Sequence, residues 1–439
     1  MSEINFDGLI GPTHNYSGLS EGNNASKKNC SSPSNPKDAA LQGIKKAEIL
    51  IACGLEQGFF LPHERPFIPG LKKLGFSGTD AEILSSAFNH SKVLLSNFSS
   101  ASSMWAANAA TISPSPDTLD NKIHLTPANL NTMFHRSSET EFTYRQCKII
   151  FRKEYFEIHN PAVTISGYGD EGAANHLRIS KSHNEKGFEI FVYGESGFKT
   201  AKKSVKRQAL EVSRSIALNH KLDMQNTFFL QQNYQAVEEG SFHNDIVSLS
   251  NENVFIAHEK AFQNKDDLNE MLNVLESKID NFQYIEISNS EIPLKDIINS
   301  YLLNSQLITN GENEMQLILP EEVKGYENCM SWLDKLKQIS DVKLFDFVDI
   351  RQSMMNGGGP ACLRLKVILN DEERDSLNQN FLMNNERLES IKSLVEREYR
   401  DVLYPDDLKD PKLLDESRRI LDELTQIFGT GSIYEFQKL

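Results

Sequence analysis

Along most of the chain, hydrophobic residues follow one of two patterns, one typical of strands and the other of helices. Short apolar runs rich in β-branched and aromatic residues predict strands, and longer segments with apolar residues three or four positions apart predict helices. The predicted strands are Cys147–Arg152, Ala162–Ser166, Phe188–Tyr193, Thr227–Gln231, Asn253–His258, Tyr284–Ile287, Gln316–Leu319, Val342–Phe347 and Cys362–Leu369. The predicted helices are Lys37–Cys53, Lys202–Asn219, Asp266–Ile279, Leu294–Leu303, Glu321–Gln338, Leu388–Arg400 and Pro411–Phe428. Strands that alternate with helices indicate an α/β architecture.

No low-complexity linker or readable repeat divides this pattern, so we expect one large domain over residues 1–439. The segment Ile10–Pro36 is rich in Gly, Ser and Asn and poor in large apolar residues. It predicts a long ordered loop or flap, and loops of this length inside a compact domain are usually functional.

Composition narrows the class of protein. The 439 residues carry 46 Lys and Arg against 61 Asp and Glu, and this net charge of -15 disfavours nucleic acid as a partner. No apolar run is long enough for a membrane span, and Met1–Gly11 lacks the features of a secretion signal. Five scattered cysteines without a CxxC pair argue against a disulfide framework or a zinc site, and for a reducing cytoplasm.

One of these cysteines has an unusual local sequence. Three glycines and a proline, Gly357–Pro360, deliver Cys362 to the start of an apolar run. Glycine permits close backbone approach and proline fixes the exit of the turn, so the motif suits a presented nucleophile. A buried cysteine after a tight turn explains the same pattern, since free cysteine is often buried.

A second glycine segment, Gly167–Gly172, formally contains the dinucleotide fingerprint G-x-G-x-x-G. Asp170 and Glu171 would stand where a pyrophosphate must bind, and the residues that follow are poor helix formers. The segment therefore fits an acidic pair that points into a cleft better than a nucleotide site, and an exposed acidic turn remains the alternative.

The remaining polar candidates are weaker. His243 and Asp245 precede an apolar strand start, and in an extended chain both would face one side, so His243 could be a general base or a structural histidine. Asn108 lies among small residues that could admit a ligand. His135-Arg136 and Arg207 are basic candidates for a carboxylate, although Arg207, on a predicted helix near Lys199, Lys202 and Lys203, also fits a solvated face.

Long motifs in one order give this chain a resemblance to the N-succinylarginine dihydrolases, a family of the pentein superfamily of guanidine-modifying enzymes. The motifs are Asn5–Leu9, Pro62–Pro69, Gly169–His176, Phe242–Asp245, Asn356–Arg364 and Gly431–Tyr434. The resemblance implies a single catalytic domain folded as a five-bladed α/β propeller with pseudo-fivefold symmetry. It also implies a cytoplasmic homodimer active in arginine catabolism, in the arginine succinyltransferase pathway, without metal or organic cofactor.

The resemblance further implies a site. Cys362 would be the nucleophile, His243 the general acid/base and Glu171 its acidic partner. The implied substrate contacts are Ser17, Gly18, Leu19, Ser20, Glu21, Gly22, Asn23, Asn24, Ala25, Ser26, Asn108, His135, Arg136, Arg207, Asp245 and Asn356. The implied reaction converts N2-succinylarginine to N2-succinylornithine, two ammonia and carbon dioxide. The alternatives are a deiminase-like or amidinotransferase-like relative that stops after one ammonia, an NAD-dependent oxidoreductase, and a non-catalytic binding protein.

Overall fold

The computed structural model describes residues 1–194 and 207–438. Within these ranges, fifteen strands form five three-stranded sheets in a mixed α/β fold. The strands are β1 Ser2–Gly8, β2 Glu56–Phe60, β3 Ala110–Ser113, β4 Ile123–Pro127, β5 Phe156–Ile158, β6 His176–Ile179, β7 Phe188–Tyr193, β8 Thr227–Gln231, β9 Ser248–Asn251, β10 Val254–His258, β11 Gln283–Ile287, β12 Gln306–Thr309, β13 Met315–Pro320, β14 Val342–Val348 and β15 Arg364–Leu369.

The helices lie between these strands and after the last of them. They are α1 Asn24–Lys28, α2 Pro36–Ala52, α3 Ile68–Lys73, α4 Asp80–His90, α5 Lys92–Phe98, α6 Phe134–Ser137, α7 Thr140–Ile150, α8 Leu210–Asn219, α9 Tyr234–Glu239, α10 Lys265–Lys278, α11 Leu294–Ser300, α12 Glu327–Ile339, α13 Arg351–Asn356, α14 Asp371–Ser376, α15 Asn385–Glu398 and α16 Pro411–Ile427. None of those helices combines the length and apolar character that crossing a bilayer would require.

All five sheets follow one pairing rule. The middle strand has an antiparallel neighbour on one side and a parallel neighbour on the other. In the first sheet β1 is the middle strand, antiparallel to β15 and parallel to β2, with Asp7 opposite Arg364. The amino terminus is therefore paired with the strand that follows Cys362.

The antiparallel edges of the sheets meet around a central cavity of about 130 Å³. Each sheet contributes a side chain from this edge or from the residue just before it: Ile112, Leu177, Ser250, Ser305 and Lys366. The cavity thus marks a point to which all five sheets are adjacent.

The structure confirms several of the predicted strands and helices. The strands Phe188–Tyr193 and Thr227–Gln231 have the predicted bounds, and α2 begins one residue before the predicted Lys37, where Asn35 caps it and Pro36 occupies its first turn. The predicted helix Glu321–Gln338 divides at Tyr326 into a 3₁₀ turn and α12.

Two predicted strands are wrong. Cys147–Arg152 forms no strand: Cys147–Ile150 is the last turn of α7, and Phe151 is its C-terminal cap. Cys147, Ile150 and Phe151 are all buried, and this spacing fits a helix as well as a strand. Ala162–Ser166 forms no strand: Val163 and Ile165 are 62% and 57% exposed. A short apolar run does not by itself distinguish these cases.

Candidate active site

The turn before β15 positions Cys362. Gly357 ends α13 with a φ of 102°, a left-handed conformation that favours glycine. A methyl group on Gly358 would lie 2.3 Å from Trp105 Nε1, and one on Gly359 would lie 2.5 Å from Asn304 Oδ1. The three glycines are therefore required by close packing, and the Cys362 carbonyl accepts a hydrogen bond from Ala107 N at 3.1 Å.

The thiol of Cys362 is 4% exposed and lies beside a carboxyl group. Its Sγ donates to Asp245 Oδ2 at 3.4 Å. Burial, and then the negative charge of Asp245, raise the pKa of Cys362 well above its ordinary value. Burial likewise raises the pKa of Asp245 to about 7. Without a ligand, the thiol is therefore protonated at neutral pH.

His243 and Glu171 form the second part of the site. His243 Nε2 lies 3.0 Å from Glu171 Oε2, and both residues are buried. Burial lowers the pKa of His243 to about 4, against the hydrogen bond and charge of Glu171, which raise it. The imidazole is therefore neutral at rest and has a carboxylate beside it that would stabilise its charged form.

Glu171 is held ionised by its surroundings. Oε1 accepts from Thr132 Oγ1 at 2.8 Å, and Oε2 accepts from Arg136 Nη1 at 2.8 Å. Burial alone would raise the pKa of Glu171, but the guanidinium of Arg136 and the hydrogen bond with His243 bring it well below its ordinary value.

The glycine segment that carries Glu171 does not build a nucleotide site. Gly172 begins a 3₁₀ helix that ends at Asn175, and β6 follows, antiparallel to β7. A βαβ unit, which the dinucleotide fingerprint needs, is not formed here. Gly169 is required for another reason: a methyl group there would lie 2.5 Å from the carbonyl oxygen of Arg207. Asp170, the other acidic residue, is buried and accepts from Gly172 N at 3.2 Å.

His243 and Asp245 do not lie on one side of an extended segment, as the sequence suggested. A 3₁₀ helix over Asn244–Ile246 begins directly after His243 and turns the two side chains apart. His243 contacts Glu171, whereas Asp245 contacts Cys362. The same short segment thus contributes to both parts of the site.

The predicted substrate contacts around Glu171 are also buried here. Asn108 Nδ2 donates to the Glu171 carbonyl at 2.6 Å. His135 and Arg136 lie on α6, and burial lowers the pKa of His135 to about 3. Arg136 already uses Nη1 on Glu171, but its Nη2 makes no hydrogen bond to the described residues.

The interpretation of Arg207 as part of a solvated helix face is wrong. In the described chain α8 begins at Leu210, and Arg207 is 3% exposed. Its guanidinium lies 4.6 Å from the centre of the Phe242 ring, and Nη2 donates to the carbonyl of Glu21. Burial lowers the pKa of Arg207 to about 10, so it stays cationic at neutral pH. Lys199, Lys202 and Lys203 lie outside the described residues.

The loop Ser17–Ser26 lies over this site rather than apart from it. The sequence predicted an irregular loop, but part of it forms α1. Asn23 caps this helix, and its side-chain oxygen accepts a hydrogen bond from Ser26 N at 3.0 Å. Asn23 Nδ2 also donates to the carbonyl of Gly357 at 3.0 Å, in the glycine turn before Cys362. Several loop residues share a small cavity with His135 and Asn356: Ser17, Gly18, Leu19, Ser20 and Ser26. Within the same loop Glu21 is exposed and pairs with Lys27, Gly22 has a φ of 80°, and Asn24 donates to the Glu239 carbonyl.

Three residues of the site were not predicted from the sequence. Asn304 donates to the Asp245 carbonyl at 3.1 Å, Thr132 hydrogen-bonds Glu171, and Trp105 packs against Gly358. Each is distant in sequence from the residue it supports, and none belongs to a recognisable motif. Within the described ranges, no group of three or more His, Cys, Asp or Glu side chains could hold a metal ion.

Comparison with known proteins agrees with the family resemblance of the sequence motifs. Residues 1–437 match the family model of succinylarginine dihydrolase. Curated N-succinylarginine dihydrolases from Idiomarina loihiensis and Acinetobacter baumannii are 45% and 44% identical, and each match covers 99% of both chains. One from Aliivibrio fischeri is 46% identical, again over 99% of both.

Solved structures of the pentein superfamily share the fold. The N-terminal domain of ArgZ, a cyanobacterial arginine dihydrolase solved with its product, superposes with a TM-score of 0.52 at 14% identity. That match covers 84% of this chain and 98% of the ArgZ domain. Unliganded AgrE gives a TM-score of 0.50 at 14% identity, covering 84% of this chain and 41% of AgrE. At this identity the likeness concerns the fold alone.

Proposed function

Because the chain belongs to the succinylarginine dihydrolase family, we infer that it hydrolyses N2-succinyl-L-arginine to N2-succinyl-L-ornithine, two ammonia and carbon dioxide. The observation that carries this conclusion is the 45% identity to a curated N-succinylarginine dihydrolase over 99% of both chains. The reaction belongs to arginine catabolism.

We propose Cys362 as the nucleophile and His243 as the general acid/base. A guanidinium carbon is a poor electrophile, and a thiolate is the strongest nucleophile that a side chain offers near neutral pH. In the first step the Cys362 sulfur bonds to the guanidinium carbon and one C–N bond breaks. The thiol proton passes through His243 to the departing ammonia.

Water then completes the first half of the reaction. Its oxygen bonds to the same carbon, the S–C bond breaks with its electron pair returning to sulfur, and the two water protons go to His243 and to the thiolate. A ureido compound results. A second round on that carbon releases the second ammonia and leaves a carbamic acid, which breaks down to carbon dioxide and N2-succinylornithine.

We propose that Glu171 and Asp245 support different charges in these steps. The hydrogen bond between Glu171 and His243 at 3.0 Å supports a role in orienting the imidazole and stabilising its cation. Asp245, beside the thiol, is suited to accept the donors of the substrate guanidinium. Asn108, through the Glu171 carbonyl, would hold the same acidic segment in position.

We propose that the succinyl tail binds among Arg207, Arg136, His135, Asn356 and the loop Ser17–Ser26. Its two carboxylates need cations, and two buried arginines with unused donors support this assignment. The small cavity between the loop, His135 and Asn356 supports closure of the loop over the tail.

We propose that the five sheets are the blades of a propeller with pseudo-fivefold symmetry, which the shared pairing rule and the common central cavity support. We further propose a cytoplasmic homodimer, as the family resemblance implies; light scattering of the purified protein tests the oligomeric state.

Product counting tests the function. With N2-succinylarginine, the expected result is two ammonia and one carbon dioxide for each N2-succinylornithine. One ammonia with a stable ureido product would indicate the deiminase-like alternative.

The variant Cys362→Ser is the matched control. It should retain the fold and lose turnover by several orders of magnitude, and near-normal turnover would exclude covalent catalysis through this residue.

A further inference from the structure

The central cavity is lined in part by buried polar side chains. Asp245 Oδ1, Ser248 Oγ and Ser305 Oγ are buried, and none of these oxygens has a hydrogen-bond partner among the described residues. All three residues line the cavity. Buried polar atoms that lack a protein partner are ordinarily satisfied by bound water.

The cavity is large enough for that purpose. Its volume of about 130 Å³ compares with roughly 10–15 Å³ needed to admit one water molecule. Asp245 connects it to the nucleophile, because the second carboxyl oxygen of the same residue accepts from Cys362 Sγ at 3.4 Å. A water bound at Oδ1 would therefore be one carboxyl group away from the thiol.

Part of the cavity lining is in contact with solvent. Arg178, Arg364 and Lys366 line the cavity and keep side-chain exposures of 12%, 12% and 22%. These cations are already paired, Arg364 with Glu3 at 3.0 Å and Arg178 with Asp117. An anion would have to displace these carboxylates, whereas a small neutral molecule would not.

The part of the site that we assign to the succinyl tail is lined by other residues. The loop Ser17–Ser26, Arg136 and Arg207, which we assign to the succinyl tail, do not line the central cavity. A substrate bound among these residues would leave the solvent-contacting lining of the central cavity uncovered. Each turnover consumes two waters while the substrate remains large, so a separate path for water has a defined use.

We propose that the central cavity binds the hydrolytic water at Asp245, Ser248 and Ser305 and supplies it to the carbon attached to Cys362. This proposal rests on the dihydrolase function given above. In the step concerned, the water oxygen bonds to the carbon, the S–C bond breaks with its electron pair going to sulfur, and the two water protons go to His243 and to the thiolate. Ser248 and Ser305 are positioning residues, since they act through the water.

The test is the double variant Ser248→Ala, Ser305→Ala, which removes two hydroxyls and adds no bulk. Slower hydrolysis of the covalent adduct should lower kcat by about tenfold and KM by the same factor. The ratio kcat/KM should stay unchanged, because it reports steps up to the loss of ammonia. Acid quenching followed by intact-protein mass measurement should reveal an accumulated adduct, heavier than the enzyme by substrate less ammonia.

The matched control is Ser417→Ala, a buried serine on α16 whose hydroxyl donates to the Arg65 carbonyl outside the cavity. It should change neither kcat nor adduct occupancy. The proposal is overturned if the double variant behaves like wild type, if its kcat/KM falls together with kcat, or if the control accumulates the same adduct. Failure of the dihydrolase function is seen separately, in the products of the wild-type enzyme.

Discussion

At the residue scale, two carboxylates in one site are held in opposite states. Glu171 is surrounded by donors, including Arg136, and its pKa lies well below the ordinary value. Asp245 is desolvated beside a thiol, and its pKa is raised to about 7. Such a separation between neighbouring acids usually reflects different roles in the chemistry. In the proposed reaction Glu171 would support an imidazolium, and Asp245 would ionise in response to the substrate cation.

The raised pKa of Asp245 predicts a pH dependence. Below about pH 7 the carboxyl is neutral and accepts guanidinium donors poorly, whereas above it the carboxylate is present. We expect kcat/KM for N2-succinylarginine to fall about tenfold for each pH unit below about 7. Steady-state rates between about pH 5 and 8 measure this. The Asp245→Asn variant should turn over slowly, and its kcat/KM should not fall in this way below about pH 7. A wild-type kcat/KM that does not change with pH over this range would contradict the assignment of the pH dependence to Asp245.

Glu171→Gln should act on the rate more than on binding. The amide keeps the shape but removes the negative charge that favours protonated His243 and that pairs with Arg136 Nη1. We expect kcat to fall about 10²–10³-fold with little change in KM, measured in steady state. Asp170→Asn is the control, because that adjacent buried carboxyl hydrogen-bonds Gly172 N and Gln208 instead. Equal losses in both variants would assign Glu171 a structural role.

Much of the candidate site could be predicted from residues, but not its contacts. Cys362, His243 and Glu171 stand in long motifs, so a family resemblance finds them. The contact between His243 and Glu171 joins positions 72 apart in sequence. No local pattern in the sequence predicts a contact across that separation, and Asn304 and Thr132 belong to no recognisable motif. Their roles depend on how separate sheets pack together.

At the element scale, the glycine turn is the part most sensitive to a single atom. Gly358→Ala would bring a methyl group to 2.3 Å from Trp105 Nε1, so the turn or the indole must move. We expect loss of about 1–3 kcal/mol in the free energy of unfolding, and at least tenfold lower kcat as Cys362 shifts. Urea denaturation and steady-state kinetics measure the two effects. Gly325→Ala, where nothing lies within 4 Å, should change neither.

The elements that could be predicted are those with a clear period. β7, β8 and α2 bury long apolar runs or regular stripes, and their bounds are close to the prediction. The short elements before residue 140 were not predicted. β3 and β4 have four and five residues, and polar members such as Thr111, His124 and Thr126 are buried there. Buried polar residues hide the hydrophobic alternation on which a strand prediction rests.

At the scale of the whole molecule, the net charge opposes the substrate. N2-succinylarginine has two carboxylates and one guanidinium and is an anion near neutral pH, while the protein carries -15. Electrostatic steering by the whole surface therefore does not favour binding. Affinity has to come from cations inside the site, where burial strengthens their interaction with a carboxylate.

Arg207 is the cation on which this argument depends most. It is buried, positively charged at neutral pH and adjacent to the loop through the Glu21 carbonyl. A charge-assisted contact from its guanidinium is worth roughly 2–3 kcal/mol, a factor of about 30–150 in binding. We expect Arg207→Ala to lower kcat/KM for N2-succinylarginine by about that factor and to affect free arginine much less. Arg207→Lys should restore part of the loss, because an ammonium lacks the planar fork.

The comparison of two substrates decides between a local and a global origin of this effect. Arg214→Ala removes the same charge from an exposed position on α8, where Arg214 lies over Phe229, and so tests net charge alone. It should leave the ratio of the two specificity constants unchanged. If Arg207→Ala lowers kcat/KM for N2-succinylarginine and arginine equally, Arg207 contacts their common part or supports the fold. Of the two buried arginines proposed for the succinyl carboxylates, Arg136 would then remain, and its Nη2 makes no hydrogen bond to the described residues.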